Sequence, residues 1–243
     1  MHKDPQLILE RLIRDKETWD SNGNRLQVTG TISLLEARFI RELIIEHDFR
    51  TCLETGVAYG ASTVAICSGL AAVEARGADV KHYGVDPCQF RDYGGAAIVA
   101  LKDCGLDHIF ELCEGPGHLM LPRLIERGVT VDFVLIDGMH TFDYTLIDLF
   151  FSDKLLRPGG IMCVHDTNLP GKKKALKYLM RYRQYRRLAG IKKSFSERAG
   201  AALKEMLKFE PAKSLNYLTT IEPMMTLQKI SAEEPPWDFY ARI

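Results

Sequence analysis

No apolar run in the 243 residues approaches the roughly 18 to 20 needed to span a bilayer. The first twenty residues, MHKDPQLILERLIRDKETWD, lack the apolar core of a signal peptide and carry charge throughout. A cytoplasmic protein without a membrane partner is the expectation. Neither sign of charge is in excess: Lys plus Arg and Asp plus Glu both number 32, so the formal net charge is zero. That argues against a general polyanion binder and makes nucleic acid an unfavoured partner. Paired cysteines are missing as well. The six thiols (Cys52, Cys67, Cys88, Cys104, Cys113 and Cys163) form no C-x-x-C pair, which speaks against a zinc ribbon or a disulfide framework. Cys52, Cys113 and Cys163 sit inside apolar runs, so reduced and mostly buried thiols are expected. There is no internal repeat and no low-complexity linker, and the length suits one large domain.

What is present is alternation. Five short apolar runs recur at 50–55, 81–86, 108–113, 131–137 and 160–166. Between them lie stretches with helical apolar spacing, ending at Gly77, Gly105, Gly128 and the Pro158-Gly159-Gly160 run. Strand and helix alternating at this period predict right-handed βαβ units around a parallel sheet. Residues 171–208 read as helical and basic, and SLNYLTTIE and MMTLQKIS flank Pro223 as a terminal antiparallel hairpin. The expected class is therefore α/β. The expected divisions are a helical cap or lid over 1–49, a cofactor-binding core over 50–168, a helical insertion over 169–210, and a hairpin with tail over 211–243.

The turn after the first run, CLETGVAYGAST, does not have the G-x-G-x-x-G spacing of a dinucleotide fold. Its glycines are Gly56 and Gly60, with Glu54 ahead of them. A carboxylate there can accept from an ammonium group, which a pyrophosphate lacks. The turn's amides and the Ser62 hydroxyl, near a helix N-terminus, can receive a carboxylate. An amino acid joined to a nucleoside meets both demands, and S-adenosylmethionine is such a ligand. Asp86, ending the second run in GVDP, is the acid expected on the ribose hydroxyls.

LETGVAYGAST, YGVDP, VLIDGMHTFDYTLIDL and LLRPGGIMCVHD together frame residues 50 to 168. Over that span the chain resembles class I S-adenosylmethionine-dependent methyltransferases, in the small-molecule O-methyltransferase branch of catechol-type and antibiotic or macrolide-sugar tailoring enzymes. The resemblance implies a Rossmann-like, mostly parallel seven-stranded sheet that ends in an antiparallel hairpin, with helices on both faces. It implies that Glu54, Gly56, Ala58, Gly60 and Ser62 cradle the methionine end, and that Glu114, Gly115 and Pro116 lie beside the adenine.

Asp137 ends the fourth run with His140 in the turn after it, and His165 and Asp166 end the fifth. Methyl transfer to a hydroxyl requires the acceptor to be positioned and its proton removed, and a histidine titrates in the useful range. His140 stands where catechol-type relatives carry a lysine, which makes it the candidate base, with Asp137 beside the acceptor and the donor. By the same resemblance Asp137, His165 and Asp166 match a magnesium-holding set. A histidine in it is unlike magnesium's oxygen preference and suits manganese, iron or zinc instead. The alternative for this pair is structural, with His165 closing the strand and Asp166 bonded to its turn. Two other functions stay open: methylation of nitrogen or nucleic acid on the same fold, and a non-catalytic S-adenosylmethionine-binding assembly subunit. The loop around Gly30, flanked by Thr29, Thr31 and Ser33 as helix caps, is the expected lid. The insertion, rich in Lys, Arg and Tyr, reads as a solvated helical face, and the tail EEPPWDFYARI as a homo-oligomer contact.

Overall fold

The expected alternation is present in the computed structural model. It describes residues 2–192 and 222–239, and between them Ala199, Gly200, Ala202, Leu203, Met206, Leu207 and Leu215. The strands are β1 (Glu17–Trp19), β2 (Arg25–Gln27), β3 (Thr51–Thr55), β4 (Lys81–Asp86), β5 (Phe110–Glu114), β6 (Val131–Ile136), β7 (Leu156–Val164), β8 (Tyr185–Arg187) and β9 (Met225–Lys229). The helices are α1 (Pro5–Glu10), α2 (Leu34–Glu46), α3 (Ala61–Glu74), α4 (Ala96–Cys104), α5 (Gly117–Glu126), α6 (Phe142–Leu155) and α7 (Pro170–Tyr182), with a π-helical turn over Arg11–Asp15 after α1. Seven strands form one sheet in the order β5–β4–β3–β6–β7–β9–β8, and β1 pairs with β2 apart from it. Among the described residues no helix is long and apolar enough to cross a membrane. The chain divides into two compact units, Met1–Val134 and Leu135–Ile243.

In the first unit β3, β4 and β5 run parallel, with Glu54 opposite Gly84 and Asp86 opposite Glu114. Cys52 and Leu53 on β3 are fully buried, as a strand covered on both faces requires. Ser33 starts α2 with a reciprocal cap. Its Oγ accepts the Glu36 N–H at 3.2 Å, and its own N–H donates to the Glu36 carboxylate at 2.7 Å. Such a cap contributes about 1 kcal/mol. Ala37, Ile40 and Ile44 then recur on one face and are buried.

The amino-terminal segment is not helical throughout, because Glu17–Trp19 and Arg25–Gln27 form an antiparallel ribbon. Its turn is DSNGN, where Asp20 Oδ1 accepts the N–H groups of Asn22 at 2.9 Å and Asn24 at 2.8 Å. An Asn-Gly pair between short strands is a hairpin signal, so this ribbon was legible.

The second unit departs from expectation twice. First, β7 begins at Leu156, ahead of the Pro-Gly-Gly run, because Arg157 precedes a proline and is held out of the helical region. Second, α7 stops at Tyr182, and Tyr185–Arg187, expected to be helical, is an edge strand antiparallel to β9, which is itself antiparallel to β7. The terminal antiparallel pair exists, but β8 is the edge strand beside β9. SLNYLTTIE, apart from Leu215 and Glu222, lies outside the described residues. The reason for the extended stretch is tertiary. Buried Asp153 on α6 accepts from Arg183 Nε at 3.0 Å and Tyr185 Oη at 2.8 Å, and Lys229 Nζ of β9 lies 3.3 Å from its carboxylate. A buried carboxylate needs such partners, and only an extended chain after Tyr182 supplies both of the first two.

Candidate functional site

The glycine turn joins β3 to α3 in the first unit. Gly56 and Gly60 have φ of +89° and +88°, and Ala58, at +46°, is a non-glycine residue in the left-handed region. Such a residue costs on the order of 1–3 kcal/mol and persists only when its surroundings hold it. Here they do. The Ala58 N–H donates to Asp86 Oδ2 at 2.8 Å, and its carbonyl accepts from Gln89 Nε2 at 2.8 Å. Val57 N–H donates to the same Oδ2 at 3.0 Å, and Cys88 N–H to Oδ1 at 2.7 Å. Gly60 brings α3 against α4: a Cβ there would lie 2.8 Å from Cα and Cβ of Ala97.

Glu54 lies beneath this turn and is fully buried. It accepts from Ser62 Oγ at 2.7 Å, Thr63 Oγ1 at 2.5 Å and His82 Nε2 at 3.0 Å. His82 faces the carboxylate through Nε2, and among the described residues its buried Nδ1 has no hydrogen-bond partner. Glu54 and Ser62, expected to meet the ligand's two charges, thus meet each other at the start of α3. Glu114 ends β5, and Gly115 and Pro116 follow it. The Gly115 N–H donates to the Asp86 carbonyl at 3.1 Å, and Pro116 caps α5.

Two observations test whether this turn suits the nucleoside amino acid. Thr55 Oγ1, at the tip of β3, is buried and has no hydrogen-bond partner among the described residues. Asp86 uses three of about four acceptor directions on turn amides, so one remains for a hydroxyl. The residues present fit the group. Neither Thr55 nor Gln89 stood out in the sequence, since a lone Thr at a strand end and a Gln in a loop carry no local signal.

In the second unit Asp137 follows β6, His140 lies in the turn before α6, and His165 and Asp166 follow β7. These four residues converge. His165 Nδ1 is 3.2 Å from Asp137 Oδ1 and 3.5 Å from Asp166 Oδ1, and His140 Nε2 is 3.4 Å from Asp166 Oδ2. A fifth member, Lys172 of α7, is fully buried with Nζ 3.4 Å from Asp137 Oδ1. Nothing in KKKALKYLM distinguished it from the lysines beside it. Burial pushes the Asp137 carboxyl up, but His165, Lys172 and His140 outweigh it and hold the group below its ordinary range. Burial, followed by the Lys172 ammonium, lowers His140 against the opposing pull of Asp166 and Asp137.

Among the described residues, Asp137, His140 and Asp166 form a three-donor group in reach of a single cation, their ligand atoms all within 4.8 Å of one another; His165 is not in it. These donors suit a divalent ion by type and distance. They do not suit it by charge, because the Asp137 oxygen already faces a buried ammonium.

Residues 53–167, which span both clusters, match the family model described as a methyltransferase domain. Over those residues the chain is similar to a methyltransferase domain. Its sheet order and its antiparallel end strands are those of the class I methyltransferase fold, as the sequence implied. Solved structures agree on that fold. The O-methyltransferase TomG from Streptomyces achromogenes, involved in tomaymycin synthesis and in complex with SAM, superposes with a TM-score of 0.61 at 14% identity, covering 95% of this chain and 92% of that one. An O-methyltransferase from Bacillus cereus in complex with SAH gives 0.62 at 14% identity, covering 94% and 93%. Cofactor-bound Rv0187 from MTB gives 0.57 at 16% identity, covering 82% and 81%. No curated protein matches the chain by sequence. At these identities the structural likeness speaks for fold, and the chemistry has to come from the residues.

Proposed function

We propose that this methyltransferase domain moves the methyl group of S-adenosylmethionine to a hydroxyl oxygen of a small molecule. The observation that carries the reading is His140, an imidazole held toward its neutral form and placed 3.4 Å from Asp166 in the turn after β6. A neutral imidazole can take a proton from a hydroxyl at neutral pH, and the neighbouring carboxylates stabilise the imidazolium that results. The donor supplies an electrophilic methyl group on a sulfonium and leaves as a neutral thioether. The protein's share is therefore to orient the acceptor oxygen in line and to remove its proton. His140 takes that proton while Asp137 and His165 stay locked together beside it.

On the donor side, the backbone of Gly56–Gly60 and the Thr55 hydroxyl serve the methionine end, and the remaining acceptor of Asp86 serves the ribose. Glu114–Pro116 borders the adenine. Glu54 and Ser62 act by holding the start of α3. Both clusters follow the carboxyl ends of their strands, which is where ligands bind in open α/β sheets.

Calorimetry with S-adenosylhomocysteine, followed by turnover assays on alcohols, phenols and sugars, tests this reading. Binding with methylation of at least one hydroxyl class is expected. Failure to bind overturns the reading as a whole. Binding with turnover only on amines or nucleic acid overturns the choice of acceptor.

A further inference from the structure

The proposed step leaves Lys172 unused, and a fully buried lysine requires an account. An ammonium group taken out of water is costly unless a charge answers it, so its partner is part of the design of the site. Asp137 is its hydrogen-bond partner, and among the described residues no other is seen. The register of the lysine is fixed by its neighbour. A Cβ on Gly171 would lie 2.9 Å from the His140 carbonyl oxygen and 2.9 Å from the Phe142 nitrogen, so the first turn of α7 rests directly on the loop that carries His140. Lys172 cannot shift along that loop without a clash.

We infer that Lys172 is the resident cation of the acceptor site, taking the place beside Asp137 that a divalent metal would otherwise fill. Asp137, His140 and Asp166 have the reach and donor types of a metal set. A second cation among them would share Asp137 with a fixed positive charge, and in a partly buried site that repulsion is large on the scale of ion binding. Leaving the imidazoles aside, two carboxylates and one ammonium sum to one negative charge. A divalent ion would reverse that sign. Lys172 acts through Asp137, holding it in place beside the oxygen whose proton passes to His140. It is a positioning residue.

The catalytic half of this inference rests on the hydroxyl-methylation reading, but the ion-binding half does not and can be measured without any acceptor. Chelator-stripped full-length protein would be titrated with Mn²⁺ and followed by calorimetry or spin resonance. Wild type is expected to show no site tighter than roughly millimolar. Lys172→Met should gain one site per chain, at least about tenfold tighter, that Asp137→Asn added to it removes. Lys172→Arg keeps the charge and should behave as wild type.

A tight site in wild type that Asp137→Asn abolishes would overturn the inference, as would Lys172→Met without any gain. Should Lys172→Met fail to fold, the wild-type titration still decides. In turnover, wild type should be indifferent to chelator. Lys172→Met should lose kcat with KM for S-adenosylmethionine unchanged and recover part of it with Mn²⁺, which a purely structural lysine would not permit.

Discussion

A single oxygen of Asp86 accepts two consecutive backbone N–H groups of the glycine turn, from Val57 at 3.0 Å and from Ala58 at 2.8 Å. An acid expected to touch ribose thus also holds the turn that cradles the rest of the ligand. The two roles share one buried carboxylate, so fold and binding should fall together.

Asp86→Ala is the direct check. It leaves the amides of Val57, Ala58 and Cys88 without their acceptor, and a buried unsatisfied donor costs about 1–3 kcal/mol. Urea denaturation should show a loss of that order at least. Calorimetry should show affinity for S-adenosylhomocysteine falling by roughly tenfold or more, as each 1.4 kcal/mol is a factor of ten. Weaker binding at unchanged stability would mean that Asp86 serves the ligand alone.

Gly60 and Gly77 separate backbone conformation from packing. Both have positive φ, +88° and +90°, but a Cβ on Gly60 meets Ala97 at 2.8 Å whereas one on Gly77 meets nothing within 4 Å. Gly77→Ala should cost only the conformational price, on the order of 1 kcal/mol, and leave ligand binding intact. Gly60→Ala adds overpacking of about 1–3 kcal/mol and pushes α3 from α4, so donor binding should suffer as well. Equal losses at the two positions would show that the contact with Ala97 relaxes freely.

His140 carries the pH dependence. Its imidazole is lowered by burial and by Lys172, and only the unprotonated form accepts a proton. The acid limb of kcat/KM should therefore lie below the ordinary histidine value of about 6.5, leaving the rate flat through neutral pH. His140→Ala should reduce kcat by roughly 100-fold or more with little change in donor affinity. A variant that keeps its rate and its acid limb would remove His140 from the reaction.

Much of this was legible along the chain because the signals are local. Each strand of the parallel core announces itself by an apolar run, and the crossover helices end near their glycines. The turn from Glu54 to Ser62 is a contiguous pattern, as is the Asn22-Gly23 hairpin within the expected helical cap. Tyr185–Arg187 was not legible, since its local sequence favours continuing α7 and a buried Asp153 thirty residues earlier overrides that preference. Nor was the partnering of Glu54, because a carboxylate ahead of a glycine turn looks the same whether it faces a ligand or the hydroxyls of Ser62 and Thr63.

The sequence by itself determined the fold class, the methyltransferase domain and the places where its polar residues cluster. Periodicity and turn chemistry act over a few residues, and those can be read in order. Tertiary structure alone decided which groups share a charge. Asp86 was bound to the turn, His140 was brought within reach of Asp137 and Asp166, and one lysine among the three at 172–174 was buried against Asp137. Electrostatic partnership depends on distance through space and on the removal of water, and neither is written in the spacing of residues along a chain.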